Sequence, residues 1–196
     1  MADITNMGLG SIGGNSIVFK RKYRWTFAVR WNGGDIPTAF VKVANRPNLT
    51  IEQTEINYLH GKMWIPGKGT WETLTVSYYD IGGDDAKGMK TLWDWLVTVY
   101  NFTDPDTLKQ TSKRGADGNS TGWAAVGNLT MYDGTGAEME NWRLKNLWPA
   151  AINFGDLDYG SSEVATLDLT MRFSEAKWTP SCGVLPPTAT PIGCNG

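Results

Sequence analysis

Trp142-Arg-Leu-Lys-Asn-Leu-Trp-Pro-Ala-Ala-Ile-Asn-Phe-Gly-Asp-Leu-Asp-Tyr-Gly-Ser-Ser-Glu-Val-Ala-Thr-Leu-Asp-Leu-Thr-Met-Arg-Phe173 decides the fold class. Its first part reads as a strand ending at a Trp148-Pro149 corner, followed by a connector and a polar Tyr159-Gly-Ser-Ser162 turn. A second strand then alternates strictly. Val164, Thr166, Asp168, Thr170 and Arg172 fall on one side, and Ala165, Leu167, Leu169, Met171 and Phe173 on the other, the pattern of a half-buried strand. No group capable of catalysis sits at the corner between them.

Upstream, Trp123–Asp133 and Ala137–Leu147 read as strands joined by a Gly134-Thr-Gly136 hairpin turn. Earlier still the period changes. Met89, Leu92, Trp93, Leu96, Val97 and Tyr100 recur at three- and four-residue steps, so a helix is predicted from Asp84 to about Tyr100, with Asp84 or Asp85 as N-cap. Further strands are expected at Val18–Arg30, Thr38–Ala44 and Trp71–Tyr79. Between them, Leu49–Ile65 alternates polar and apolar residues and breaks at Leu59-His-Gly-Lys62. This reads as a long hairpin arm ending in a Pro66-Gly67 turn. The predicted architecture is mainly β: a β-sandwich or barrel of two packed antiparallel sheets, one flanking α-helix and the hairpin arm. Residues 1–17 read as a flexible Gly-, Ser- and Asn-rich arm, 18–178 as the single folded domain, and 179–196 as a Pro-rich extension that cannot join a ladder interior. The polar 104–122 segment reads as a loop.

A length of 196 residues fits one full core, given roughly 150 residues per domain. With 23 Gly, ten Trp and seven Tyr, the composition favours many strands and tight turns. Only 19% of residues are charged, low for a freely soluble monomer. Burial of the surface against further copies explains that deficit most simply, although a compact secreted domain could share it. The net charge of −2 gives no global case for binding nucleic acid or anionic membranes. Locally, Lys20-Arg-Lys-Tyr-Arg24 could form a basic patch; opening a strand with Tyr23, Trp25, Phe27 and Val29 on one face is the preferred reading. The start Met1-Ala-Asp-Ile-Thr5 has neither a basic nor an apolar leader region, so synthesis and retention in a cytoplasm are expected. The sequons at Asn48, Asn101, Asn119 and Asn128 then carry no meaning. No window reaches the roughly 20 apolar residues of a membrane span.

Chemistry-bearing motifs are few. Gly8, Gly10 and Gly13 match the dinucleotide fingerprint in letters, but no strand precedes them and a strand follows, so no helix N-terminus is available for a pyrophosphate. His60 is the single histidine and reads as a hairpin-tip residue. Cys182 and Cys194 form no CxxC pair; free thiols are expected in the cell, with a disulfide possible after release. No cofactor, metal or enzymatic activity is expected. Glu52, Glu55, Asp156, Asp158, Glu163 and Asp168 lie along strands and turns without a spacing that sets two of them across a substrate. A carbohydrate-binding module using Trp123 or Trp142 is the alternative from a different functional class.

Three stretches, in order, resemble the tail tube proteins of contractile-tailed bacteriophages, a family related to the type VI secretion tube protein. Pro47-Asn-Leu-Thr-Ile-Glu52 with its hairpin and Ile65–Asp80 resembles the family's proline-led entry and return strand; Met89–Leu96 resembles its single helix; Leu147-Trp-Pro149 to Phe173 resembles its C-terminal corner and last strand. Together they span roughly residues 38 to 173. The 1–17 arm, the 104–122 loop and the tail after Trp178 match no family pattern.

The resemblance implies a structural subunit. Six copies would close into a ring and rings would stack into a tube inside a contractile sheath, meeting baseplate and tail terminator proteins at the ends. Double-stranded DNA would pass through without sequence-specific binding. The protein would reside in the virion tail after assembly in the host bacterial cytoplasm. It further implies an inter-subunit role for the hairpin, with Ile51, Gln53, Ile56, Tyr58, Leu59, Met63 and Ile65 as contact candidates. Glu52, Glu55, Asp156, Asp158 and Glu163 become candidates for an acidic lumen that repels the phosphate backbone. A tube of a type VI or extracellular injection system is the alternative within the same class.

Overall fold

The computed structural model describes residues 20–32, 34–36, 38–82, 87–102 and 122–180. The 1–17 arm, the Asp84/Asp85 cap, the 104–121 segment and the tail from residue 181, with both cysteines, lie outside the described residues. The elements run β1 (Trp25–Trp31), β2 (Gly34–Ile36), a 3-10 turn (Thr38–Phe40), β3 (Val41–Ala44), β4 (Leu49–Tyr58), β5 (Gly61–Trp71), β6 (Leu74–Tyr79), α1 (Lys87–Val99), β7 (Ala125–Tyr132), β8 (Glu138–Asn153), β9 (Thr166–Arg172) and β10 (Glu175–Pro180). An eight-stranded antiparallel sheet is ordered β2-β1-β7-β8-β9-β6-β3, with β10 also paired to β8; β4 and β5 form a separate two-stranded ribbon. The large sheet does not close into a barrel, because its path ends at β2 and β3.

One core joins both halves of this sheet to the helix. Phe27, Val29 and Trp31 of β1 meet Val76 and Tyr78 of β6, Leu167, Leu169 and Met171 of β9, and Leu92 and Trp95 of α1 in a single cluster. The alternation read in Val164–Phe173 is the observed burial of β9: Leu167, Leu169 and Met171 are inside. Burying each such side chain contributes about 1.5–3 kcal/mol. Two indole N–H groups fasten the segment leading into β7. Trp31 Nε1 donates to the Gly122 carbonyl at 2.7 Å, and Trp95 Nε1 to that of Trp123 at 2.8 Å. Burial inside the core pushes the Tyr78 phenol well above its ordinary pKa.

Strand β8 is irregular at two levels, around Asn146 where it faces β7 and between Pro149 and Ala151 where it faces β9. Gly127 pairs with Leu144 and Ala125 with Leu147, so β8 carries one extra residue there; Asn146 takes a φ of +53°. This bulge reverses the in-out parity, and Leu144 and Leu147, three residues apart, both reach the core. The opposing chain breaks at the same level. Arg172 pairs with Trp148 and Glu175 with Lys145, with the Phe173-Ser174 interruption between β9 and β10. One half of β8 therefore sits beside β7 and β10 and the other beside β9, as in strands that pass between layers. Gly127 permits the close approach there: a Cβ on it would lie 3.0 Å from Leu147 Cδ2.

Other expectations shift for local reasons. The strand does not end at Trp148-Pro149 as expected, since β8 runs on to Asn153, although its register against β9 shifts between Pro149 and Ala151. Pro149 is tolerated because β7 no longer pairs there and no ladder donor is needed. The first two residues of the expected extension continue β10: Thr179 pairs with Asn141 and Pro180 with Glu140, at the strand's end and not in a ladder interior. The first strand begins at Trp25, and Tyr23 stands exposed before it instead of continuing the buried face. Thr38–Phe40 is a 3-10 turn ahead of a shorter β3. The hairpin turns at Leu59-His60, where Tyr58 pairs with Gly61; Pro66 and Gly67 lie within β5 at a bulge. The Gly134–Gly136 turn forms as read, with the Asp133 carboxylate accepting from Thr135 and Ala137 backbone N–H groups at 2.7 and 2.9 Å.

Candidate assembly interface

The β4–β5 arm contributes almost nothing to its own chain's core. Every residue of β4 is exposed, and β5 is exposed up to Trp71. Its register sorts the candidate contact residues by face. Ile56 opposes Met63 and Thr54 opposes Ile65, so Ile56, Tyr58, Met63 and Ile65 share one face near the tip. Ile51 and Gln53 belong to the other face, and Leu59 caps the tip at a φ of +43°. Two exposed residues on that second face, Trp64 and Leu49, went unassigned in the sequence reading. Their signal was present in the alternation, but the Gly67-Lys68 bulge hides which strand positions face the same way. His60 shares the exposed tip turn with Leu59.

The five acidic candidates divide into two groups. Glu52 and Glu55 ride on the arm, with Glu55 Oε1 2.7 Å from Lys62 Nζ. Asp156, Asp158 and Glu163 lie on the 154–165 connector between β8 and β9, all exposed. That connector is shaped by short-range bonds. Gly160 N–H donates to Asp158 Oδ1 at 2.9 Å and Gly155 N–H to Asn153 Oδ1 at 3.1 Å. At its root Phe154 stacks on Trp93 of α1, with ring centroids 5.3 Å apart.

A third feature is a recess of about 540 Å³ between edge strand β3 and the face of β1 and β7. Lys20, Lys22, Lys42 and Arg46 surround it, and Trp25 and Met131 belong to its apolar lining. Beside it lies Glu140 on β8, only 3% exposed, a residue that no sequence pattern singled out. Lys20 ion-pairs with it, and Arg46 Nη2 lies 3.0 Å from its Oε1. Burial pushes the Glu140 carboxyl up, but the Lys20 hydrogen bond, the Arg46 and Lys20 charges and a Trp178 hydrogen bond together hold it below the usual range.

Among the described residues, no three His, Cys, Asp or Glu side chains group as a metal site, and no helix is long and apolar enough to cross a membrane. The tryptophans considered as a sugar platform pack in pairs, Trp142 against Trp178 and Trp123 against Trp148.

No protein-family model matches the sequence, nor does any curated protein. Solved structures match the fold. The chain is similar to one in the cryo-EM structure of the anti-feeding prophage tube-terminating cap, at 15% identity and a TM-score of 0.59, over 87% of this chain and 99% of that one. It is also similar to a chain of the PVC extracellular contractile injection system in the extended sheath-tube complex, at 14% identity and a TM-score of 0.53, over 91% and 99%. A chain of that system's sheath/tube terminator matches at 14% identity and 0.58, over 84% and 99%. The chain shares its fold with chains found in the cap, terminator and sheath-tube structures of contractile injection systems.

Proposed function

We propose that this protein is the tube subunit of a contractile phage tail. The observation that carries the proposal is the β4–β5 arm: two strands of 10 and 11 residues, solvent-exposed and apolar at the tip, on a chain with a tube-type fold. An isolated two-stranded ribbon is marginal in water, and apolar side chains displayed along one gain most from burial against another molecule. In this reading six copies close a ring and rings stack into a tube. The arm supplies subunit and ring-to-ring contacts, and residues 1–17 reach a neighbour. The sheath surrounds the tube, and baseplate and terminator proteins close its ends. Lumen-facing carboxylates, with Glu52, Glu55, Asp156, Asp158 and Glu163 as candidates, keep the passing DNA from adhering.

Negative-stain microscopy and sedimentation velocity of the purified chain test this. Rings or tubes are the expected result, and a strictly monomeric protein at high concentration refutes it. A second reading, a tube subunit of an extracellular or type VI injection system, draws support from the similar folds in extracellular injection systems. Native particles separate the two: double-stranded DNA inside the tube supports the phage, and protein cargo the injection system.

A further inference from the structure

The 154–165 connector displays apolar side chains between carboxylates. Leu157 is 89% exposed and Tyr159 wholly so, flanked by Asp156 and Asp158. From residue 146 to 171 the sequence carries four carboxylates, Asp156, Asp158, Glu163 and Asp168, and no Lys or Arg. The β3–β1 recess has the opposite character. Four cations, Lys20, Lys22, Lys42 and Arg46, stand over an apolar floor, against one carboxylate, Glu140. Val43 at its rim is 49% exposed. Within one chain neither surface is covered by the other.

We propose that the Asp156–Tyr159 strap of one copy docks into the Lys22/Lys42/Arg46 recess of the next, Tyr159 and Leu157 entering the apolar floor and the two aspartates meeting the rim cations. This deepens the tube reading and rests on it. Charge selects this occupant over the chain's own ends: residues 1–19 contain one acidic residue, Asp3, and residues 181–196 none. The strap is already shaped by its Asp158 turn, which lowers the cost of ordering it on contact. Strap and recess are different patches, so their pairing is head-to-tail. Such contacts propagate into closed rings or open filaments instead of stopping at a dimer.

Paired charge reversals in the full chain test the proposal. Asp156→Lys with Asp158→Lys reverses the charge of the strap and also removes the acceptor of the Gly160 N–H, so Asp158→Ala, which breaks that turn bond without reversing charge, runs beside it as the control for strap shape. Lys22→Glu with Lys42→Glu alters the recess while leaving both Glu140 partners in place. Each pair should raise the concentration needed for rings or tubes by about tenfold or more, and the four changes together should restore assembly. Circular dichroism and melting of each variant confirm folding. A photo-cross-linker replacing Tyr159 should join a differently labelled copy at a peptide containing Lys42–Arg46. Assembly unchanged by either pair, no rescue by the combination, or cross-links only to other sites overturns the docking while leaving the tube reading intact. A wild-type chain that never assembles overturns both. Recess variants that lose binding to a double-stranded DNA fragment but assemble normally reassign the recess to nucleic acid and also overturn the docking.

Discussion

Asn146 concentrates the architecture into a single backbone angle. Its φ of +53° lies in the left-handed region, which asparagine tolerates better than most non-glycine residues. The extra residue it accommodates lets Leu144 and Leu147 both face inward. Replacement by valine, whose branched Cβ resists this conformation, should cost about 1–3 kcal/mol. Asn146→Gly should fall within about 1 kcal/mol of the parent. Urea unfolding of the two variants measures the difference, and equal stabilities would show that the left-handed conformation at position 146 carries no such cost. The sequence shows Trp148-Pro149 as the conspicuous breaker, and the register against β9 does shift just after Pro149, but β8 continues through it and a further bulge lies earlier, at Asn146. Asn146 looks like an ordinary polar strand residue until its two flanking strands are in place.

Among the elements, β9 was the most legible: Leu167, Leu169 and Met171 are the buried face that its alternation gave, and periodicity is a direct imprint of one-sided burial. The α1 segment was legible as a helix, but its buried face is rotated from the one read: Met89, Leu92 and Leu96 are inside, whereas Trp93 and Tyr100 are exposed and Trp95, outside the stripe as read, is fully buried. The β4–β5 hairpin was legible as a ribbon, and its tip at Leu59–Gly61 was legible in the break of the alternation. The arm does not end in a turn at Pro66-Gly67, which lies in a bulge of β5 despite its turn chemistry. β10 escaped the sequence reading because its pairing follows from the register of β9 along β8, not from any pattern in Glu175–Pro180. The arm's detachment from the core leads to a prediction. Deleting Ile56–Met63 and rejoining the strands through an Asn-Gly turn should change unfolding free energy by about 1 kcal/mol or less. The same change should abolish rings and tubes, read by circular dichroism together with sedimentation velocity. Tubes of normal length from this variant would remove the arm from the interface.

Across the whole molecule, the sheet stays open between β2 and β3, and polar groups secure the neighbourhood of its open side. Glu140 on β8 receives Lys20 from ahead of β1 and Arg46 from beyond β3, linking segments far apart in sequence. Its carboxyl is held below its ordinary pKa, so the folded state favours the charged form. The stabilisation is therefore complete above the unfolded pKa of about 4.3 and disappears as pH falls through the lower folded value. Glu140→Gln should cost about 1–2 kcal/mol at pH 7, less than a fully buried pair because both cations remain partly solvated. It should also flatten the acid limb of a stability–pH curve; an unchanged limb would show that the group does not report folding. By itself, the sequence determined most of the strands, the α1 helix, the hairpin arm and the buried face of β9, because those depend on periods of a few residues. Tertiary structure alone decided the bulge at Asn146, the β8–β10 pairing, the Glu140 cluster and the juxtaposition that forms the basic recess. Each of these depends on which distant strands become neighbours, and that is set by the free energy of the whole packed sheet.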